Sequence, residues 1–231
     1  MADNMINIDT LFFALLGGIL PAIFWLWFWL KEDKKRPEPR GLLVLAFITG
    51  IILIPIVFGL EKLASIYIPD GIFLIIIWSA IEELMKYFGA LFVALKSRFL
   101  DEPVDAMIYL ITVALGFVAM ENSLFLLSPL GESDIIVSFM TGNLRFMGAS
   151  ILHVLSSATI GIFIGLAFYK SYFTKKISLI TGIILAITLH SAFNFFIIKG
   201  NGHDMFTIFG FLWVATVILL LIFEKIKRIK R

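Results

Sequence analysis

The chain has 231 residues, of which 60% are apolar and only 16% charged, and its formal charge is +2. An ordinary soluble domain is roughly 45–50% apolar with Gly counted; a core of this size cannot hide the excess, which excludes a water-soluble enzyme or binding domain. The absence of cysteine excludes disulfides, thiol catalysis and thiolate metal sites.

The charges are bunched, and between the bunches run uncharged stretches of 19 or more residues. Such stretches cross roughly 30 Å of hydrocarbon at about 1.5 Å per residue. In chain order the predicted spans are 11–30, 41–60, 72–95, 104–127, 146–169, 177–198 and 205–223. The first resembles a signal peptide only superficially. Met1 to Thr10 carries no Lys or Arg, and the apolar run is about twice a typical h-region, so a retained helix is expected. Phe24, Trp25, Trp27, Phe28 and Trp29 form an aromatic belt at one end of it. The loop 128–144 is the longest, with room for a short helix at Ile135–Met140.

Orientation follows from the basic residues. Segments 31–40, 96–103, 170–176 and 224–231 hold 15 Lys or Arg, against Lys62, Arg145 and Lys199 on the other side. The positive-inside rule then puts the N-terminus outside and the C-terminus in the cytoplasm. The expected fold class is all-α, a polytopic transmembrane helical bundle of about seven helices in a single integral membrane domain over 1–231.

Five Asp, Glu, Lys or Arg residues fall inside the spans: Glu82, Glu83, Lys86, Asp105 and Glu121. Each costs at least about 2.5–3.5 kcal/mol near a helix centre, so each needs a partner or a wet cavity. Asp105 lies at a span end, and a capping or interfacial role is expected of it. Lys86 follows Glu82 by four residues and Glu83 by three, so it reaches either carboxylate on one helix face. One carboxylate satisfies Lys86. The second must be protonated, share a proton or coordinate something, an arrangement that acid–base chemistry uses.

Depth brings further groups to the same level. Counting helical rise from the outer ends, Glu82 lies about 15 Å deep, Glu121 about 9 Å, His153 about 10 Å and His190 about 12 Å. Four antiparallel helices thus carry Glu82, Glu83, Glu121, His153 and His190 in one layer of the outer half. Asn194 sits one turn from His190, Ser157 one turn from His153, and Asn122 beside Glu121. A lone His or Asn in a membrane helix is commonly a helix–helix hydrogen bond. The whole layer together reads as a site.

These residues resemble a known family. Ile81-Glu82-Glu83-Leu84-Met85-Lys86 is similar to the EExxK motif of PrsW-type proteases, and Phe117-Val118-Ala119-Met120-Glu121-Asn122 to their FxxxE motif followed by Asn. His153 stands as the lone-histidine motif, and His190-Ser191-Ala192-Phe193-Asn194 resembles the final HxxxN. Pro103-Val104-Asp105 to Tyr109, leading into Gly116-Phe117, is similar as well. Order and spacing are also similar to a wider group that includes the CAAX prenyl endopeptidases and the Aph-1 scaffold of gamma-secretase. That group often has His where this chain has Glu121, which matches the PrsW branch and argues against a prenyl-protein substrate.

The resemblance implies an intramembrane endopeptidase of a prokaryotic cytoplasmic membrane. Its expected partners are the lipid bilayer and a single-span regulatory substrate of the anti-sigma-factor kind, with no nucleic acid. Hydrolysis needs an activated water, oxyanion stabilisation and a proton for the leaving amine. Glu82 is expected as general base with Glu83 the next choice, and Lys86 as the group that holds the other carboxylate. The matching motif of the prenyl endopeptidases implies His190 and Asn194 as oxyanion donors. Glu121 and His153 would orient the water or donate the proton. Alternatively Glu121, His153 and His190 ligate one zinc-like divalent metal, with a position left for water; the choice between the two stays open. Two other classes compete. A proton- or ion-coupled transporter also keeps carboxylates at mid-membrane, but internal repeats and Pro breaks in the third to sixth spans are absent here. A non-catalytic Aph-1-type scaffold is the other, opposed by retention of both glutamates and Lys86.

Overall fold

The computed structural model describes residues 8–32, 36–127, 135–199 and 205–229. They form seven α-helices and, among the described residues, no strand. The helices are α1 (Ile8–Glu32), α2 (Arg40–Tyr67), α3 (Ile72–Ala90), α4 (Asp105–Leu127), α5 (Ile135–Leu166), α6 (Tyr172–Lys199) and α7 (Met205–Ile226). α3 continues into a π-helical turn, Leu91–Leu95. A bilayer leaves backbone amides no other partner, so helices are the outcome that the apolar runs impose. Six of the seven are long and apolar enough to cross a membrane. The exception is α3, because Glu82, Glu83 and Lys86 fall within its 19 residues.

Each predicted span finds its helix, and three boundaries differ by five residues or more, one of them the start of α6 at Tyr172 instead of 177. α2 runs on to Tyr67, past the predicted end at 60, because nothing breaks the helix before Pro69. α5 starts at Ile135, so the short helix expected at Ile135–Met140 is its first turns rather than a separate element. Residues 128–134 of the expected loop lie outside the described residues.

α4 is the axis of the bundle. Every residue from Asp105 to Ala119 is buried, and α1, α2 and α5 all pack on it. α3 is held between α2 and α6, while α6 and α7 pack on α5. Contact between α2 and α4 is backbone on backbone: a Cβ at Gly116 would overlap the Phe47 carbonyl, and one at Gly50 the Val113 carbonyl. Small residues permit such close approach in membrane helices, where packing replaces the hydrophobic drive. Through these crossings the polar turns of α3, α4, α5 and α6 meet inside the bundle, while large apolar side chains such as Phe24, Ile52, Ile184 and Leu221 point outward.

Candidate active site

Glu82, Glu83 and Lys86 come from the middle of α3, Glu121 from α4, His153 from α5 and His190 from α6. Spacing by three and four turns both carboxylates of α3 toward Lys86. Lys86 is fully buried and its Nζ donates to Glu83 Oε1 at 2.6 Å, while Glu82 Oε2 stands 4.0 Å away. Glu83 is therefore the satisfied carboxylate. Oε1 also accepts from His190 Nδ1 at 2.7 Å and Ser156 Oγ at 2.9 Å, and Oε2 accepts from Ser157 Oγ at 3.3 Å.

Glu82 is the opposite case. Its Oε2 is buried and has no hydrogen-bond partner. It faces His190 Nε2 at 3.8 Å and His153 Nδ1 at 3.9 Å, both beyond hydrogen-bond reach. The bonding pattern assigns the tautomers. His190 uses its Nδ1 proton on Glu83, which leaves a lone pair on Nε2. His153 donates from Nε2 to Glu121 Oε2 at 2.8 Å, which leaves a lone pair on Nδ1, the atom that accepts from Lys86 at 2.8 Å. The two imidazoles stand perpendicular with centroids 5.1 Å apart. Phe117 covers the other side, its ring 5.4 Å from that of His153 and 5.0 Å from Lys86 Nζ.

Glu82, His153 and His190 each offer one ligand atom within 4.8 Å of the others. Ligands of a tetrahedral zinc-type ion, at about 2.0–2.2 Å from it, stand about 3.3–3.5 Å apart, so the 3.8 and 3.9 Å distances from Glu82 would close by roughly half an ångström and that between the two histidines by up to about 1.5 Å. Each imidazole also gives its far nitrogen to a carboxylate, Glu83 for His190 and Glu121 for His153. That is the usual outer arrangement of metal-binding histidines. The donor set fits a divalent ion, provided that Lys86 gives up His153 Nδ1 and rests on Glu83 alone. Glu121, expected from the sequence among the ligands, is bonded instead to Nε2 on the opposite edge of the His153 ring, and Glu82 faces the two histidines.

Other expected residues fall as follows. Asn194 is half-buried and makes no hydrogen bond with the site residues described. Asn122 donates to Ser150 at 3.4 Å and links α4 to α5. Asp105 accepts from the backbone N–H groups of Asp101 at 2.9 Å and Glu102 at 2.6 Å, and so closes the loop into α4. It shares that end of the bundle with Glu38, which accepts from Tyr109 and whose carboxyl is pushed above its ordinary range by burial. Sequence reasoning missed Ser156, which carries no motif although it sits three residues past His153 and donates to Glu83.

Comparison with known proteins bears on the family of the chain. The model of the PrsW family intramembrane metalloprotease matches residues 38–223. Protease PrsW of Oceanobacillus iheyensis is 31% identical over 189 residues, covering 80% of this chain and 83% of the relative. Protease PrsW of Halalkalibacterium halodurans is 25% identical over 218 residues, 89% and 94% of the two chains. Protease PrsW of Bacillus subtilis is 24% identical over 208 residues, 88% and 92%. No solved structure matches the chain significantly. A family match across most of the chain and six apolar helices make this protein an integral membrane peptidase of a bacterial cell membrane. The chain belongs to the PrsW family of intramembrane metalloproteases.

Proposed function

We propose that the protein cuts a single-span regulatory membrane protein, of the anti-sigma-factor kind, within or beside the bilayer, using Glu82, His153 and His190 to hold one zinc-like divalent ion. The observation that carries this reading is the convergence of one unbonded carboxylate oxygen and two imidazole lone pairs in a buried layer. When bound, such an ion lowers the pKa of a water and polarises the scissile carbonyl. Glu83 and Glu121 orient the two imidazoles, and Lys86 offsets the charge of Glu83. Glu121, whose side chain is 33% exposed, is the most accessible carboxylate of the cluster. It takes the proton of the attacking water and returns it to the leaving amine. Asn194, one turn past His190, donates its amide to the carbonyl oxygen of the substrate.

One observation favours a metal-free variant of the same chemistry. The ammonium of Lys86 already sits on His153 Nδ1 at 2.8 Å, where it competes with a second cation. In that reading Glu82 is the base, and His190, carrying a second proton on Nε2 as an imidazolium, donates with Asn194 to the oxyanion.

An apolar substrate segment is supported by a cavity of about 300 Å³ between α5, α6 and α7. Leu152 and Leu189, the neighbours of the two histidines, line it together with Phe193 and Leu212, and it reaches the outward-facing Phe196 and Phe211. Purified protein reconstituted in liposomes with candidate single-span substrates should give products cut within or just beside the span, identified by mass. Cleavage of soluble unfolded protein alone would overturn the membrane-substrate reading.

A further inference from the structure

Membrane helices satisfy their hydroxyls in a regular way. In this bundle the buried Thr112, Ser123, Ser156, Ser191 and Thr216 each donate to the carbonyl four residues earlier, at 2.7–3.0 Å. Such back-bonding gives a hydroxyl the partner that lipid cannot. Ser79 departs from it. Its side chain is wholly buried, and its Oγ has no hydrogen-bond partner, the Ile75 carbonyl included. An unpaired buried hydroxyl costs free energy, so its retention asks for a role.

Its place on α3 supplies one. Among the described residues, three buried side-chain polar atoms lack a hydrogen bond: Trp29 Nε1, Ser79 Oγ and Glu82 Oε2. The last two belong to one helix and lie three residues apart. Ile75, Ser79, Glu82, Glu83, Lys86 and Ala90 form a single buried stripe along α3. At about 3.6 residues per turn, Ser79 points between the directions of Glu82 and Glu83. Helical side chains lean toward the N-terminus of their helix, which carries both carboxylates toward the Ser79 turn. A free donor and a free acceptor thus share one face of the site, and neither satisfies the other.

α6 supplies the opposite wall. Glu83 meets His190, and in the π-helical turn beyond α3 Leu91 lines a cavity with Leu179, so the two helices pack antiparallel. Ser79, one turn before Glu82, therefore stands at the same end of the layer as Asn194, one turn past His190. The offsets are about 4.5 and 6 Å by helical rise. Ala192 and Phe193, on the Asn194 turn, line the apolar cavity between α5, α6 and α7.

We propose that Ser79 is a substrate-binding residue of this site, whose hydroxyl donates, opposite Asn194, to the carbonyl oxygen of the scissile peptide and to the oxyanion that develops there. The hydroxyl keeps its proton and forms no covalent bond. A donor with no partner to give up needs no reorganisation when charge appears on that oxygen. The proposal rests on the membrane-peptidase reading above and holds with or without a metal at Glu82.

The test is cleavage of a single-span substrate by the full-length protein in liposomes, with kcat and KM measured separately, beside thermal unfolding in detergent. Ser79→Ala is expected to lower kcat by about 10²–10³-fold, the effect of removing one oxyanion donor, with KM little changed. Because the hydroxyl bonds nothing in the folded protein, the variant should unfold at the wild-type temperature or above it. Ser79→Cys keeps nearly the same volume with a weaker donor and should lose most of the same rate. It decides the question should Ser79→Ala fold poorly. Wild-type kcat in Ser79→Ala, or in Ser79→Cys where Ser79→Ala does not fold, overturns the role of Ser79 while the peptidase reading stands. So does a fall in kcat that comes with a lower unfolding temperature, since the hydroxyl would then be structural. If the wild type cleaves no single-span substrate, the membrane-substrate reading fails and this proposal falls with it.

Discussion

Glu82→Gln is expected to lower cleavage of a single-span substrate by at least about 10²–10⁴-fold, the range that one positioned proton-transfer group supplies. The variant keeps the shape of the side chain and its capacity for hydrogen bonding. What it loses is the anionic oxygen that has no partner in the buried layer, whether that oxygen ligates a metal or acts as a base. His190→Ala should have an effect at least as large, because it removes a ligand or oxyanion donor that Glu83 holds at 2.7 Å. Asp105→Asn serves as the control: it sits 16 residues before Glu121 on α4, about 24 Å away along the helix, and should leave the rate nearly unchanged. Both variants should remain inserted and folded, judged by gel filtration in detergent and by thermal unfolding. Cleavage at wild-type rates in both would mean that the layer is structural.

A second large effect is expected on stability. Lys86 and Glu83 are both fully buried and 2.6 Å apart. Deleting one partner of such a pair leaves a charge without compensation, which costs about 3–5 kcal/mol. Lys86→Met should therefore destabilise the protein by that amount in an unfolding titration from mild detergent into a denaturing one. Adding Glu83→Gln to it should recover much of the loss, since a neutral pair needs no counter-ion. Glu83→Gln alone is less informative about chemistry than Glu82→Gln. All four partners of Glu83 donate to it, and an amide nitrogen would meet a donor where an oxygen now accepts. Lys86→Met as stable as the wild type would contradict the ion pair.

Much of this was legible before any coordinates, for a reason specific to bilayers. An apolar run long enough to span has little choice but to become a helix, and a charge within it is too costly to be incidental. Hence Glu82, Glu83, Lys86, Glu121, His153 and His190 were found together, with helical rise as the ruler. What depth cannot supply is rotation about each helix axis. Glu121 is at the right level for a ligand, yet it reaches the Nε2 edge of His153, whereas Glu82 faces Nδ1. Ser156 was invisible for the same reason: hydroxyls on membrane helices are common, and only the orientation of α5 directs this one to Glu83. Hydropathy also marks where apolar character stops and not where the helix stops. Glu61 and Lys62 end the apolar run of the second span, but the backbone stays helical to Tyr67. Thr141, Asn143 and Arg145 interrupt the pattern ahead of 146 while α5 already runs from Ile135.

The most direct measurement is elemental analysis of the purified wild-type protein beside His190→Ala, joined to an activity assay after chelation and metal return. The expected result is about one divalent ion per wild-type chain and none in the variant. Cleavage should be lost on chelation and restored by the ion. Wild-type protein that is free of metal and still cleaves at its full rate would contradict the metal site at Glu82, His153 and His190, and leave Glu82 as the base of a carboxylate mechanism.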